Sequence, residues 1–192
     1  IGGEFVKPLS KKYFNTLNPA TNQSIAKIAD ANDKDIDKAV KSARKAFKSW
    51  SKLDSKERGK YIFRIARMIQ ERAKEFAVIE SMDGGKPIRE SRDIDIPLAA
   101  NHFFYHAGWA DKYQALSSSV NPVSSPHFNF SVPEPMGVIG VVACQETALL
   151  GLVSQILPLI VGGNTTVVIA NSIQPLSAIS FGEVLATSDV PG

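Results

Sequence analysis

Cysteine is almost absent: Cys144 is the only one in 192 residues. That excludes an internal disulfide framework and any multi-cysteine zinc site, and it favours a reducing, intracellular setting. Histidine is nearly as scarce. His102 and His106 are four apart and could face one metal ion, but the residues between them lack the glutamate of a zinc-protease helix. The third histidine, His127, lies well beyond them, so packing or surface placement is expected and no metal site is assigned. Neither a Gly-x-Gly-x-x-Gly turn nor a Gly-Lys-Ser/Thr loop occurs, which leaves no standard phosphate cradle. Long apolar runs are missing too. The longest, residues 149–163, carries Ser154, Gln155 and Pro158 and falls short of the ~18 residues of a membrane span. The first residues have neither a secretory apolar stretch nor an Arg/Ser-rich amphipathic character, so a cytoplasmic location is expected. Without an initiator Met, the chain is expected to be a piece of something longer.

What is present suits a folded globular protein: 44% hydrophobic and 21% charged residues, with 13 Gly and 11 Pro. A chain of this size can bury a core without disulfides or metal. The net charge is +3, yet Lys and Arg alternate with acids along most of the chain, so no nucleic-acid partner is expected.

The first half has helical periodicity. Asn32 is placed as an N-cap, followed by Ile36, Ala39, Val40, Ala43, Phe47 and Trp50 at helical spacing. Asp33, Asp35 and Asp37 near its start and Lys41, Arg44, Lys45 and Lys48 toward its end complement the helix dipole. From Ser55 a second long helix is expected through Ile62, Ile65, Ala66, Ile69, Ala73 and Phe76, stopped by Gly84-Gly85-Lys86-Pro87. A third stretch, about 89–114, is aromatic-rich, with Pro97 near its start or kinking it.

The second half alternates between strand and helix. Phe128, Phe130 and Val132 alternate with polar residues or proline in a half-exposed strand, an edge or an arm. Apolar strands are expected at 138–143 and 165–170, and helices at 148–161 and 176–186, which makes a parallel βαβ unit with one further helix. Open sheets of this kind bind ligands beyond the carboxyl ends of their strands. Those ends are Ala143-Cys144-Gln145-Glu146 and Ala170-Asn171-Ser172. Cys144 has no neighbouring His or Lys in sequence to lower its pKa, so it is not assigned as a nucleophile. Glu146 is either a functional carboxylate or an acid favoured by a helix's first turn.

Several ungapped segments in order resemble the N-terminal part of the aldehyde dehydrogenase superfamily. They are Ile1-Gly-Gly-Glu-Phe, similar to the family's opening strand, and Asn18-Pro-Ala-Thr-Asn22 with Ile25-Ala-Lys-Ile28, similar to its next hairpin. Lys45-Ala-Phe-Lys-Ser-Trp50, Glu57-Arg-Gly, Glu80-Ser-Met-Asp-Gly-Gly-Lys-Pro87, Phe103-Phe-Tyr-His-Ala-Gly-Trp-Ala110 and Pro133-Glu-Pro-Met-Gly-Val-Ile-Gly140 complete the set. The resemblance implies an α/β fold: N-terminal helices, an open parallel Rossmann-like sheet, and a protruding β-arm. Residues 1–121 and 135–192 would be the N-terminal part of an NAD(P)-binding domain. Residues 122–134 would be an arm that joins a second copy or a second aldehyde dehydrogenase domain. The catalytic domain, with the cysteine nucleophile and glutamate base, would lie outside this chain.

The resemblance also implies NAD or NADP as cofactor, with Val142, Ala143, Cys144, Gln145, Ile169 and Ser172 at the cofactor positions. Three of the family's usual groups are replaced. Where the family has Pro-Trp-Asn-Phe-Pro, residues 144–148 read Cys-Gln-Glu-Thr-Ala, so Glu146 stands in the place of the asparagine that donates to the oxyanion. A carboxylate donates only when protonated, and loss of one such donor costs ~10²–10³ in rate. Where the family has a lysine and a glutamate that hold the adenosine ribose, Ile169 and Ser172 offer an apolar side chain and a single hydroxyl. Two expectations stand side by side: part of an NAD(P)-dependent aldehyde dehydrogenase with atypical contacts, or a degenerate, non-catalytic relative with a structural or interaction role. Cofactor binding is expected to be weak or absent, and the chain alone inactive.

Overall fold

The computed structural model describes residues 1–190. The chain begins with a turn where the resemblance implied a strand: Gly2 (φ 63°) and Gly3 (φ 80°) take left-handed conformations that no strand accommodates. Strands β1 (Tyr13–Leu17) and β2 (Ser24–Ala29) then form the expected antiparallel hairpin. Helix α1 (Asp33–Trp50) opens on a complete capping box, in which Asn32 accepts from the first-turn amides and Asp35 accepts from the backbone of Asn32.

The second long helix is two. Helix α2 (Ser55–Glu71) ends at Arg72 (φ −97°, ψ 13°), and α3 (Ala73–Gly84) follows at once. Apolar spacing runs through the break because Ile69, Ala73 and Phe76 all reach the same core, so periodicity could not reveal it. Gly85 ends α3 in the left-handed conformation (φ 70°) with its would-be Cβ position 2.7 Å from Pro19, so both backbone and space demand glycine.

The stretch 89–114 also divides, into α4 (Ile88–Glu90), a π-helical turn (Ser91–Asp95), α5 (Ile96–Trp109) and α6 (Tyr113–Ser117). Pro97 sits in the first turn of α5, where its missing N–H costs least, and the widened turn before it replaces the ladder that proline cannot join.

Strands β3 (Ser119–Asn121) and β4 (Asn129–Ser131) pair antiparallel as a hairpin. This hairpin starts at Ser119, three residues before the 122 at which the expected arm begins. Strand β5 (Val138–Val142), helix α7 (Ala148–Val161), strand β6 (Thr165–Ile169) and helix α8 (Leu176–Thr187) form the parallel unit close to the expected bounds. The core lies among α2, α3, α5, α7 and α8, where Ile62, Phe76, Phe103, Leu149, Leu157 and Val184 are fully buried. Each such side chain contributes on the order of 1.5–3 kcal/mol by leaving water. Helix α1 is tied on by Trp50, whose Nε1 donates to the carbonyl of Ile160 at 3.0 Å.

Candidate functional site

The two parallel strands finish side by side, with Val142 paired to Ile169 and the Ala143 N–H extending the ladder to the Ile169 carbonyl at 3.0 Å. Buried Asn171 bridges the loops beyond. Its Nδ2 donates to the Cys144 carbonyl at 3.2 Å, and its Oδ1 accepts from the Ile173 N–H at 2.7 Å. Of the residues singled out from the sequence, Val142, Gln145, Glu146, Ile169 and Ser172 are exposed at these strand ends. Ala143 is buried in the core, and Cys144 is half-buried. The Cys144 thiol lies 3.6 Å from the Thr147 carbonyl and rests over Gly151, whose would-be Cβ position is 2.0 Å from Sγ. Glycine at 151 is therefore what lets the loop fold back on α7.

The residues that hold the crevice together were not singled out by sequence reasoning. Thr147 is the N-cap residue of α7 and Pro175 that of α8, and neither caps its own helix with a side chain. Instead, Glu80 Oε1 on α3 accepts the Leu149 N–H at 2.8 Å, and Asp83 Oδ2, one turn on, accepts the Leu176 N–H at 2.8 Å. Thr16 Oγ1 donates to the other oxygen of Asp83 at 2.6 Å. Burial pushes the Glu80 carboxyl above its ordinary range; the Leu149 amide partly offsets this, neighbouring Asp95 adds to it and Lys86 opposes it. Lys86 is ion-paired with Asp95. A polar cavity of about 160 Å³ between these groups is lined by Glu80, Lys86, Glu146, Thr147 and Gln174. Both acids lie in the 80–87 segment that carries the family resemblance and stand at i, i+3 on one helix face, but nothing local connects them to helices that begin roughly seventy and ninety residues later.

The other chemistry-bearing residues stand apart. The rings of His102 and His106 stack with centroids 6.2 Å apart, and His106 Nδ1 lies 2.8 Å from the His102 carbonyl. No group of three or more His, Cys, Asp or Glu among the described residues could hold a metal ion, and none of their helices is long and apolar enough to cross a membrane.

Toward a dinucleotide the strand ends present the apolar Ile169 and the single hydroxyl of Ser172 at these two positions, and one first-turn amide of each helix is already taken by an internal carboxylate.

A family model described as aldehyde dehydrogenase family matches residues 5–192. The chain is 35% identical over 193 residues to DhaS of Bacillus subtilis (strain 168), covering all of this chain and 38% of that protein. It is 35% identical to aldehyde dehydrogenase family 2 member B4, mitochondrial, of Arabidopsis thaliana, again over the whole chain and 35% of the relative. Among solved structures, PnpE in complex with nicotinamide adenine dinucleotide superposes with a TM-score of 0.95 at 34% identity, over 100% of this chain and 39% of that one. The chain thus spans less than two-fifths of the length of these relatives.

Proposed function

The chain belongs to the aldehyde dehydrogenase family, and from that premise we propose that it forms the cofactor-side, N-terminal portion of a degenerate member that holds NAD or NADP weakly and does not oxidise aldehydes. The observation that carries this reading is the set of side chains at the strand ends: Glu146, Ile169 and Ser172, all exposed there. An ionised carboxylate at position 146 repels the oxyanion that the family's amide stabilises, and Ile169 and Ser172 cannot replace a cation and a carboxylate on the ribose. Three independent losses point one way.

Its role is then structural. The hairpin β3–β4 presents Val120, Phe128 and Phe130 to solvent, with Val132 just beyond it, and a second copy or a second domain of the same family would cover them. A cytoplasmic setting agrees with the single free thiol of Cys144.

A working dehydrogenase with atypical contacts is the second reading, supported by the superposition of this whole chain on 39% of the PnpE chain in its NAD complex. Glu146→Asn separates the two. NADH production by the whole protein with a panel of aldehydes should be undetectable before and after the change. Robust wild-type turnover, or a gain of about 10²–10³ on Glu146→Asn, contradicts the degenerate reading.

A further inference from the structure

We infer that Glu80 and Asp83 are positioning residues: two carboxylates on one face of α3 hold the first turns of α7 and α8 and thereby set the loops 144–147 and 170–175 that line the strand-end crevice, a role that rests on that crevice being the functional face.

Both helices leave their own cap unmade. The Thr147 hydroxyl makes no capping bond, and Pro175 has no side-chain acceptor. Orphaned first-turn amides in a buried setting are costly, so an acceptor must come from elsewhere. It comes in both cases from α3, at 2.8 Å. The two acids are only 5% and 3% exposed, which is an expensive place for a carboxylate unless its oxygens are engaged. Asp83 is itself locked by Thr16 from the hairpin β1–β2, so the hairpin, α3 and α8 form one hydrogen-bonded series. On the other branch, the loop 144–147 is only four residues long between Ala143 and α7, and a shift of the first turn of α7 must carry Cys144 and Glu146 with it. The one cross-link between the two loops is Asn171 to the Cys144 carbonyl. The geometry of the crevice is therefore imposed from outside the sheet, by a helix that precedes it by some sixty residues.

Cys144 supplies a reporter, since its half-buried thiol rests over Gly151 in the loop that α7 carries. Alkylation of Cys144 by N-ethylmaleimide, followed on its own peptide by mass spectrometry in the whole protein, compares three variants. Glu80→Met removes the acceptor, Glu80→Asp keeps the charge but falls a methylene short, and Glu80→Gln keeps length and acceptor without charge. The first two should speed alkylation by about fivefold or more, the scale of a lost helix cap, while Glu80→Gln stays within about twofold of wild type. Met and Asp variants that match wild type overturn the inference, as does a Gln variant that behaves like Met. Should Glu80→Met fail to fold, Glu80→Asp and wild-type hydrogen exchange decide: the amides of Leu149 and Leu176 should exchange as slowly as core amides, and exchange at open-amide rates refutes the clamp. No readout uses NAD or an aldehyde, so its failure is distinct from failure of the proposed function.

Discussion

Phe103 and Phe130 have the same side chain on regular elements, yet Phe103 on α5 is fully buried and Phe130 on β4 remains 58% exposed. The body of the molecule closes a core of its own: helices α2, α3, α5, α7 and α8 pack together and an acceptor for one first-turn amide of both α7 and α8 comes from α3, although Phe63 and Tyr105 stay exposed and the buried Arg58 Nε, Ser91 Oγ and Ser177 Oγ have no partner among the described residues. The arm does not. Phe128 lies against Phe130 with centroids 5.5 Å apart and rings tilted by 40°, and both remain open to water. Identical apolar chemistry thus makes a core in one place and an exposed surface in the other, and what decides between them is whether the fold brings a facing element.

The sharpest way to break that contrast is truncation. Phe103→Ala should lower the unfolding free energy by about 3–5 kcal/mol, whereas Phe130→Ala should change it by no more than about 0.5 kcal/mol. Equal losses in denaturant unfolding would mean that the arm is part of the core. The complementary effect is on assembly. Phe128→Ser with Phe130→Ser should weaken self-association by about tenfold or more, seen as a fall in molar mass by light scattering, with stability unchanged. An unaltered mass would remove the arm as an interface.

A smaller effect tests the body's internal capping. The folded pKa of Glu80 is raised above its ordinary value of 4.5 by burial. Its contribution to stability is therefore fully present below the unfolded value and is lost as pH rises through the folded one. Glu80→Gln keeps the acceptor for Leu149 but has no charge to bury, so its stability relative to wild type should increase from about pH 4.5 upward. A difference that is flat with pH would show that Glu80 pays no burial cost.

Elements governed by local chemistry were legible in the sequence. Asn32 with Asp35 marked the start of α1, and α7 and β6 fell within a residue of the expected bounds because apolar blocks end at Gly162 and Asn171. The misses arise where distant or backbone-level terms win. The break at Arg72 leaves apolar spacing intact, and the π-helical turn before Pro97 answers a missing donor that periodicity does not register. Paired left-handed glycines replace the expected strand in residues 1–5. At the site, the strand ends and their exposed residues could be named from the sequence. The capping bonds of Glu80 and Asp83 could not be, although both lie in a segment that carries the resemblance, because a cap supplied by another helix has no spacing rule.

Whether the strand-end crevice holds the cofactor weakly, as proposed, is tested most directly by calorimetric titration of the whole protein with NAD. Wild type should bind no tighter than the high micromolar range, and Ile169→Lys with Ser172→Glu should tighten binding by on the order of ten- to a hundredfold, as two recovered polar contacts warrant. Low-micromolar binding by wild type, unchanged by the double substitution, would contradict it.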